Sequence, residues 1–198
     1  FFLCIKGGPG SGKGTQCEKL AHRYGLSPLA VSELLQSDLA TFTERSKLIK
    51  DIMEHGDQVP MDIILEIVKE TMSSCLGNSK GFLFDGFPRE TKQAEEFEYI
   101  KISKPNIVLY LDCSAETMTS RLQKRSKASH RNDINTETIR RRLEAYYQAI
   151  NPIITYYDRK SLLYKVNILP TLKIACLILK KILQLYNSFN ELIEKSYL

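Results

Sequence analysis

The opening stretch FFLCIKGGPGSGKGTQ constrains the fold more than any other feature of the chain. An apolar run leads directly into a loop where Gly7, Gly8, Gly10, Gly12 and Gly14 surround Lys13, and TQCEKLAHRYG then reads as a helix closed by Gly25. Glycines open backbone angles closed to other residues and let N–H groups approach a ligand. A buried strand, such a loop and a helix N-terminus together collect backbone donors and a positive dipole end around an anion. The spacing follows G-x-x-x-x-G-K through Gly7, Gly12 and Lys13, with Gly14 in the usual Ser/Thr position and Thr15 one later. Lys13 adds a point charge for the outer phosphates. Phosphate binding follows from these residues; phosphoryl transfer does not follow from them alone.

The rest of the chain alternates. Strands are expected at 1–7, 27–31, 81–86, 106–112 and 162–167, and the clearest helices at 43–55, 60–76, 114–126 and 135–159. Short apolar runs such as NIVLYLD suit strands buried on both faces, which predicts an α/β fold with a five-stranded parallel sheet covered by helices on both sides. Pro152 is expected to bend or break the last of these helices. A further apolar stripe from Ile174 to Leu192 predicts an extended helix at about 171–195.

At 198 residues the chain is read as a single domain. It starts without methionine and inside a strand, so it reads as trimmed or as a piece of something longer; a monomer or one domain of a longer chain is expected. Its net charge of +5 suits anionic small molecules. The basic run at Arg140, Arg141 and Arg142 lacks the aromatic neighbours that nucleic-acid binding would want. Five scattered cysteines without a C-x-x-C pair support neither a zinc site nor a disulfide framework and suggest a reducing, cytoplasmic setting. No apolar run is long enough for a membrane span.

A second constellation is GFLFDGFPRETKQ. Asp85 ends an apolar strand, where a carboxylate can hold the water shell of Mg2+; the alternative is a simple cap for the next helix. Gly86 lets the backbone pass close to a ligand, and Arg89 offers a planar fork to a phosphate. Arg121, Arg125, Arg131 and Arg142 follow downstream. Successive helical residues point about 100° apart, so at most one of the three consecutive arginines faces a given ligand.

The segments GGPGSGKGTQCEKL, DIMEHGDQVP, GFLFDGFPRE and TETIRRRLEAYYQAINPIITYYD together resemble the adenylate kinase family in its short-lid cytosolic form, that of the isoenzyme 1 and isoenzyme 5 kinase domains. The resemblance spans about residues 1–167 and accounts for Gly14, since that family's loop reads G-K-G-T. It implies a P-loop NTPase fold with a nucleoside-monophosphate segment at about 31–60 and a short lid at about 125–134. It implies reversible phosphoryl transfer between ATP and AMP with Mg2+, giving ADP. Carried over, Gly10, Ser11, Gly12, Lys13, Gly14 and Thr15 would cradle the ATP phosphates, Arg121 would lie on the ATP adenine, and Asp85 would hold Mg2+ through water. Val59, Gly86, Arg89 and Gln93 would form the AMP site. Arg125, Arg131 and Arg142 would close over the phosphates, the last two also facing AMP.

The acceptor side departs from that pattern. Where the family reads LSTGELLR, residues 29–36 read LAVSELLQ, so Val31 replaces a threonine, Ser32 a glycine and Gln36 an arginine. The lid retains Asp133 followed by Ile134, and Pro170 stands near a family glycine. Three functions remain open on these residues: an adenylate kinase with weakened AMP binding, a kinase for another nucleoside monophosphate, and a nucleotide-binding pseudoenzyme or regulatory domain of a longer protein.

Overall fold

The computed structural model describes residues 1–55, 59–99, 104–128 and 136–167, with the backbone alone at 126–128. Arg131, Asp133, Ile134, Pro170, Cys176 and the expected helix at 171–195 lie outside the described residues.

Five strands form one parallel sheet in the order β2-β3-β1-β4-β5. They are β1 (Phe2–Gly7), β2 (Ser27–Ala30), β3 (Phe82–Asp85), β4 (Ile107–Asp112) and β5 (Leu163–Asn167). Each falls within about a residue of its expected place. The helices are α1 (Lys13–Tyr24), α2 (Val31–Leu39), α3 (Glu44–Glu54), α4 (Met61–Cys75), α5 (Thr91–Tyr99), α6 (Ala115–Ala128) and α7 (Thr136–Arg159). The chain leaves β1 for one side of the sheet and crosses to the other side after β3, so β1 stands at the switch point where open α/β sheets bind ligands beyond their strand ends.

The period-two alternation of β1 sorts its residues between two cores. Leu3 and Ile5 join Leu20 of α1, Met118 and Leu122 of α6, and Ile139 and Leu143 of α7. Cys4 faces the opposite core with Leu65 and Val68 of α4, Phe97 of α5, and Ile153 and Tyr157 of α7. There Phe84 and Phe87 meet the Phe97 ring edge-on, with centroids 5.2 and 5.6 Å apart, the favoured aromatic geometry. The first half of α7 therefore packs on one core and its second half on the other, and the middle of this helix passes beside the strand ends.

Three local features shape α1, α3 and the long helix α7. Gly25 ends α1 in the left-handed region at φ 65°, donating its N–H to the Ala21 carbonyl. Thr43 caps α3 by accepting from the Ser46 N–H at 3.1 Å. Pro152 does not break α7, which runs unbroken for 24 residues. The carbonyl one turn earlier belongs to Gln148, an exposed residue, so solvent can take the place of the missing N–H.

Candidate active site

The loop between β1 and α1 is shaped by glycines where side chains do not fit. Gly10 has φ +81°, and a Cβ there would lie 2.8 Å from the Met118 backbone carbonyl oxygen of α6. The Ser11 N–H bonds the Gly8 carbonyl at 3.1 Å, closing the turn. Gly12 precedes α1, and no side chain caps the helix or places an acid in its first turn. The first N–H groups of α1 thus stand open to an anion. Lys13 folds over the loop, donating from Nζ to the Gly8 carbonyl at 3.1 Å. Burial lowers its pKa, an effect partly opposed by the Asp85 carboxylate.

Arg121 reaches the same loop from α6, its Nη1 donating to the Ser11 carbonyl at 3.2 Å. Gly14 and Thr15 are exposed in the first turn of α1. Arg125 lies on α6, which remains helical through residue 128. Of the expected lid at about 125–134, residues 125–128 are the end of this helix, and the rest lies outside the described residues.

Asp85 ends β3 half-buried, and a Cβ placed on Gly14 would sit 3.9 Å from its Oδ2. Among the described residues no group of three or more His, Cys, Asp or Glu gathers to cage a metal. A single carboxylate beside a phosphate loop fits Mg2+, which keeps several waters and is held by one or two carboxylates plus substrate phosphates. Burial pushes the pKa of the nearby Cys17 thiol up, and the Asp85 carboxylate adds to that rise.

Beyond the strand ends lies a cavity of about 910 Å³, lined by Lys6, Lys13, Asp85, Gly86, Arg89, Arg142 and Tyr146 among others. A second cavity of about 320 Å³ lies between α2, α3, α4 and α5, lined by Val31, Gln36, Met53, Val59, Phe87, Arg89 and Gln93 among others. Arg89 belongs to both. Gln93 holds that junction, its Oε1 accepting the Arg89 backbone N–H at 2.7 Å. Of the three consecutive arginines, Arg140 pairs with Glu137 and Glu144, and Arg141 with Glu137. Arg142 alone of the three lines the larger cavity.

Sequence reasoning missed two features. Lys6 is a buried lysine on the cavity floor. Its signal was a charged residue inside an otherwise apolar central strand. Arg45 of α3 joins Asp38 of α2 at 2.5 Å and Glu70 of α4 at 2.9 Å, binding together the helices that wall the smaller cavity. No local pattern marks that bridge, because its partners lie 7 and 25 residues away.

A parallel sheet with a glycine-loop helix N-terminus, a cationic cavity and a carboxylate at the next strand end defines a P-loop α/β protein. The sequence model of the family described as adenylate kinase matches residues 5–162. Adenylate kinase isoenzyme 5 of Mus musculus is 56% identical over 165 residues, 83% of this chain but 29% of that protein. Adenylate kinase isoenzyme 1 of Rattus norvegicus is 47% identical over 165 residues, 83% of this chain and 84% of that protein. Isoenzyme 1 of Cyprinus carpio is 46% identical over 179 residues, 90% and 92% of the two chains. The chain belongs to the adenylate kinase family, and it spans less than a third of the length of the isoenzyme 5 relatives.

Proposed function

We propose that this chain catalyses reversible phosphoryl transfer from ATP to AMP, yielding two ADP, and that it works in the cytoplasm as a monomer or as one domain of a longer chain. The observation that carries the reading is the shared Arg89: a phosphate-loop cavity and a separate pocket of base size meet at one guanidinium. A donor in one and an acceptor in the other would face each other across it. Residues Gly10 to Thr15 cradle the ATP phosphates, with Lys13 over the bond to be broken and Arg121 and Arg125 on the donor side. Val59 and Gln93 border the AMP base, while Gly86, Arg89 and Arg142 face its phosphate; Arg131 is assigned to the same phosphate by the family resemblance alone.

Transfer consists of attack by an AMP phosphate oxygen on the terminal phosphorus of ATP, with cleavage of the P–O bond to the departing ADP. Such a reaction asks the protein for alignment and charge neutralisation rather than covalent chemistry. Mg2+, held through water at Asp85, would supply further neutralisation of the phosphates when bound. The lysine and arginines fix the phosphates in line, and closure over them excludes water as a competing acceptor.

A second reading, a different monophosphate acceptor, is favoured by Val31 and Ser32, which give the smaller cavity an apolar contact and a hydroxyl. Turnover measured with ATP and Mg2+ against AMP, GMP, CMP and UMP tests both. AMP as the best acceptor is expected. A preference for another base would transfer the assignment to it, and binding of ATP without turnover of any monophosphate would refute catalysis.

A further inference from the structure

Lys6 joins Lys13, Arg89 and Arg142 among the cations of the larger cavity, and neither the loop motif nor the family resemblance assigns it a role. It is the penultimate residue of β1, flanked by β3 and β4 and opposite Tyr110, and only 3% of it is exposed. Its alternation places it on the Cys4 face, and its side chain rises to the floor of the cavity under α7. Among the described residues its ammonium has one hydrogen bond, donated to the Pro88 carbonyl, which leaves two N–H donors for an occupant of the cavity.

A charge is expensive to bury without a partner. Among the described residues no carboxylate pairs with Lys6. Its charged surroundings are Lys13 of α1, Glu33 of α2, Asp85 of β3, Arg89 after it and Arg142 of α7, with Cys4 on its own strand. Burial lowers its pKa to about 7. The missing counter-charge is supplied if an anion binds in the cavity. Position along the cavity selects which anion. Lys13 is tied to Gly8 in the donor loop, whereas Lys6 is tied to Pro88, the neighbour of Arg89. The wall contributed by α2 adds Ser32 and Glu33 there, and Gln36 to the smaller pocket, but no cation.

We propose that Lys6 binds the phosphate of the acceptor nucleoside monophosphate, reaching it from below while Arg89 and Arg142 reach it from the rim. This inference rests on the reading of the two cavities as donor and acceptor sites. The Pro88 carbonyl holds the ammonium in place, and two phosphate oxygens complete its hydrogen bonding. The phosphate monoester is the group recognised; the base contributes nothing to this contact.

The test compares Lys6→Met, of similar reach without charge, with Lys6→Gln, which keeps a donor for the Pro88 carbonyl. Both are expected to raise the KM for AMP by about ten- to a hundredfold, the worth of a charged hydrogen bond. The KM for ATP should stay within about twofold, since the donor loop is held by other residues. AMP kinetics restored by Lys6→Gln would show that Lys6 only braces the Pro88 turn and would overturn the proposal, as would wild-type kinetics in both variants. A wild-type protein that binds no monophosphate would instead overturn the functional reading itself. Should neither variant fold, the Lys6 Cε resonance of the 13C-lysine-labelled wild-type protein decides. A shift on adding AMP but not adenosine supports the phosphate contact; an equal response to both refutes it.

Discussion

Replacing Arg45 by Met should loosen the helices that wall the smaller cavity. The Asp38 carboxylate is 4% exposed and takes the Arg45 guanidinium through Nη2 at 2.5 Å and Nε at 3.1 Å. The same guanidinium holds both oxygens of Glu70 at 2.9 Å, but Glu70 is 55% exposed, so that half contributes little. Breaking a fully buried pair costs about 3–5 kcal/mol because a charge is left without a partner. Arg45 is 26% exposed, so water reaches the site after the change. A loss of about 2–3 kcal/mol is therefore expected, equivalent to a melting temperature lower by about 4–12 °C for a domain of this size. The helix that loses its brace carries Val31, Ser32 and Gln36, so the KM for AMP should rise severalfold while that for ATP barely moves. Urea denaturation of Arg45→Met, Asp38→Asn and the double variant measures the coupling, expected near ~2 kcal/mol. Additive effects, or a loss below about 0.5 kcal/mol, would show that the bridge is a solvated surface pair and refute the argument.

Three further outcomes are expected. Lys13→Ala should abolish transfer in a protein whose circular dichroism is unchanged; residual conversion of AMP to ADP would remove the loop from the catalytic centre. Gln36→Arg should raise kcat/KM for AMP by about tenfold or more by adding a charged hydrogen bond, with ATP kinetics unchanged, and an unaltered AMP response would count against AMP as acceptor. In the nucleotide-free protein, Lys6 titrates at about 7 against 10.5 for an ordinary lysine, so between those values the unfolded chain holds more protons. Between about pH 7 and 9 Lys6 should therefore add up to about 1.4 kcal/mol per unit to the rise of unfolding free energy with pH, a contribution that Lys6→Met should remove. Lys13, also lowered by burial, adds in the same direction, while above about pH 9 the raised Cys4 and Cys17 thiols act in the opposite one.

Much of the fold could be read from residues close together in sequence. The strands of a parallel sheet are short continuous apolar runs, and FLFD and IVLYLD lie where such runs predict them. The glycine loop was legible for the same reason, because its function is local to about ten residues. Pro152 does not break α7 because proline chemistry is local while the stability of that helix is not. Ile150, Ile153 and Tyr157 anchor the helix on both sides of the proline, and their burial outweighs one missing hydrogen bond. The arginine run was half legible. Glu137 and Glu144 stand three or four residues from the arginines they occupy, so helical spacing alone could have singled out Arg142.

The pocket proposed for the acceptor was harder to read because its lining comes from α2, α3, α4, α5 and the turn after β3. Gln36 and Arg89 are distant in sequence and meet only where α2 and the turn after β3 enclose one pocket. Gln36 reads as damage while only the cations at motif positions are counted. Lys6 escapes notice for the opposite reason: in a strand buried on both faces, one lysine reads as an exception at the strand end. The topology changes its meaning. At the switch point, the last residues of β1 form the floor of a site, so an ammonium buried there is held close to where an acceptor phosphate would lie. If Lys6 and the guanidinium introduced by Gln36→Arg act on the same phosphate, their effects should be less than additive. The gain from Gln36→Arg should then be larger when Lys6 is replaced by Met than when it is present.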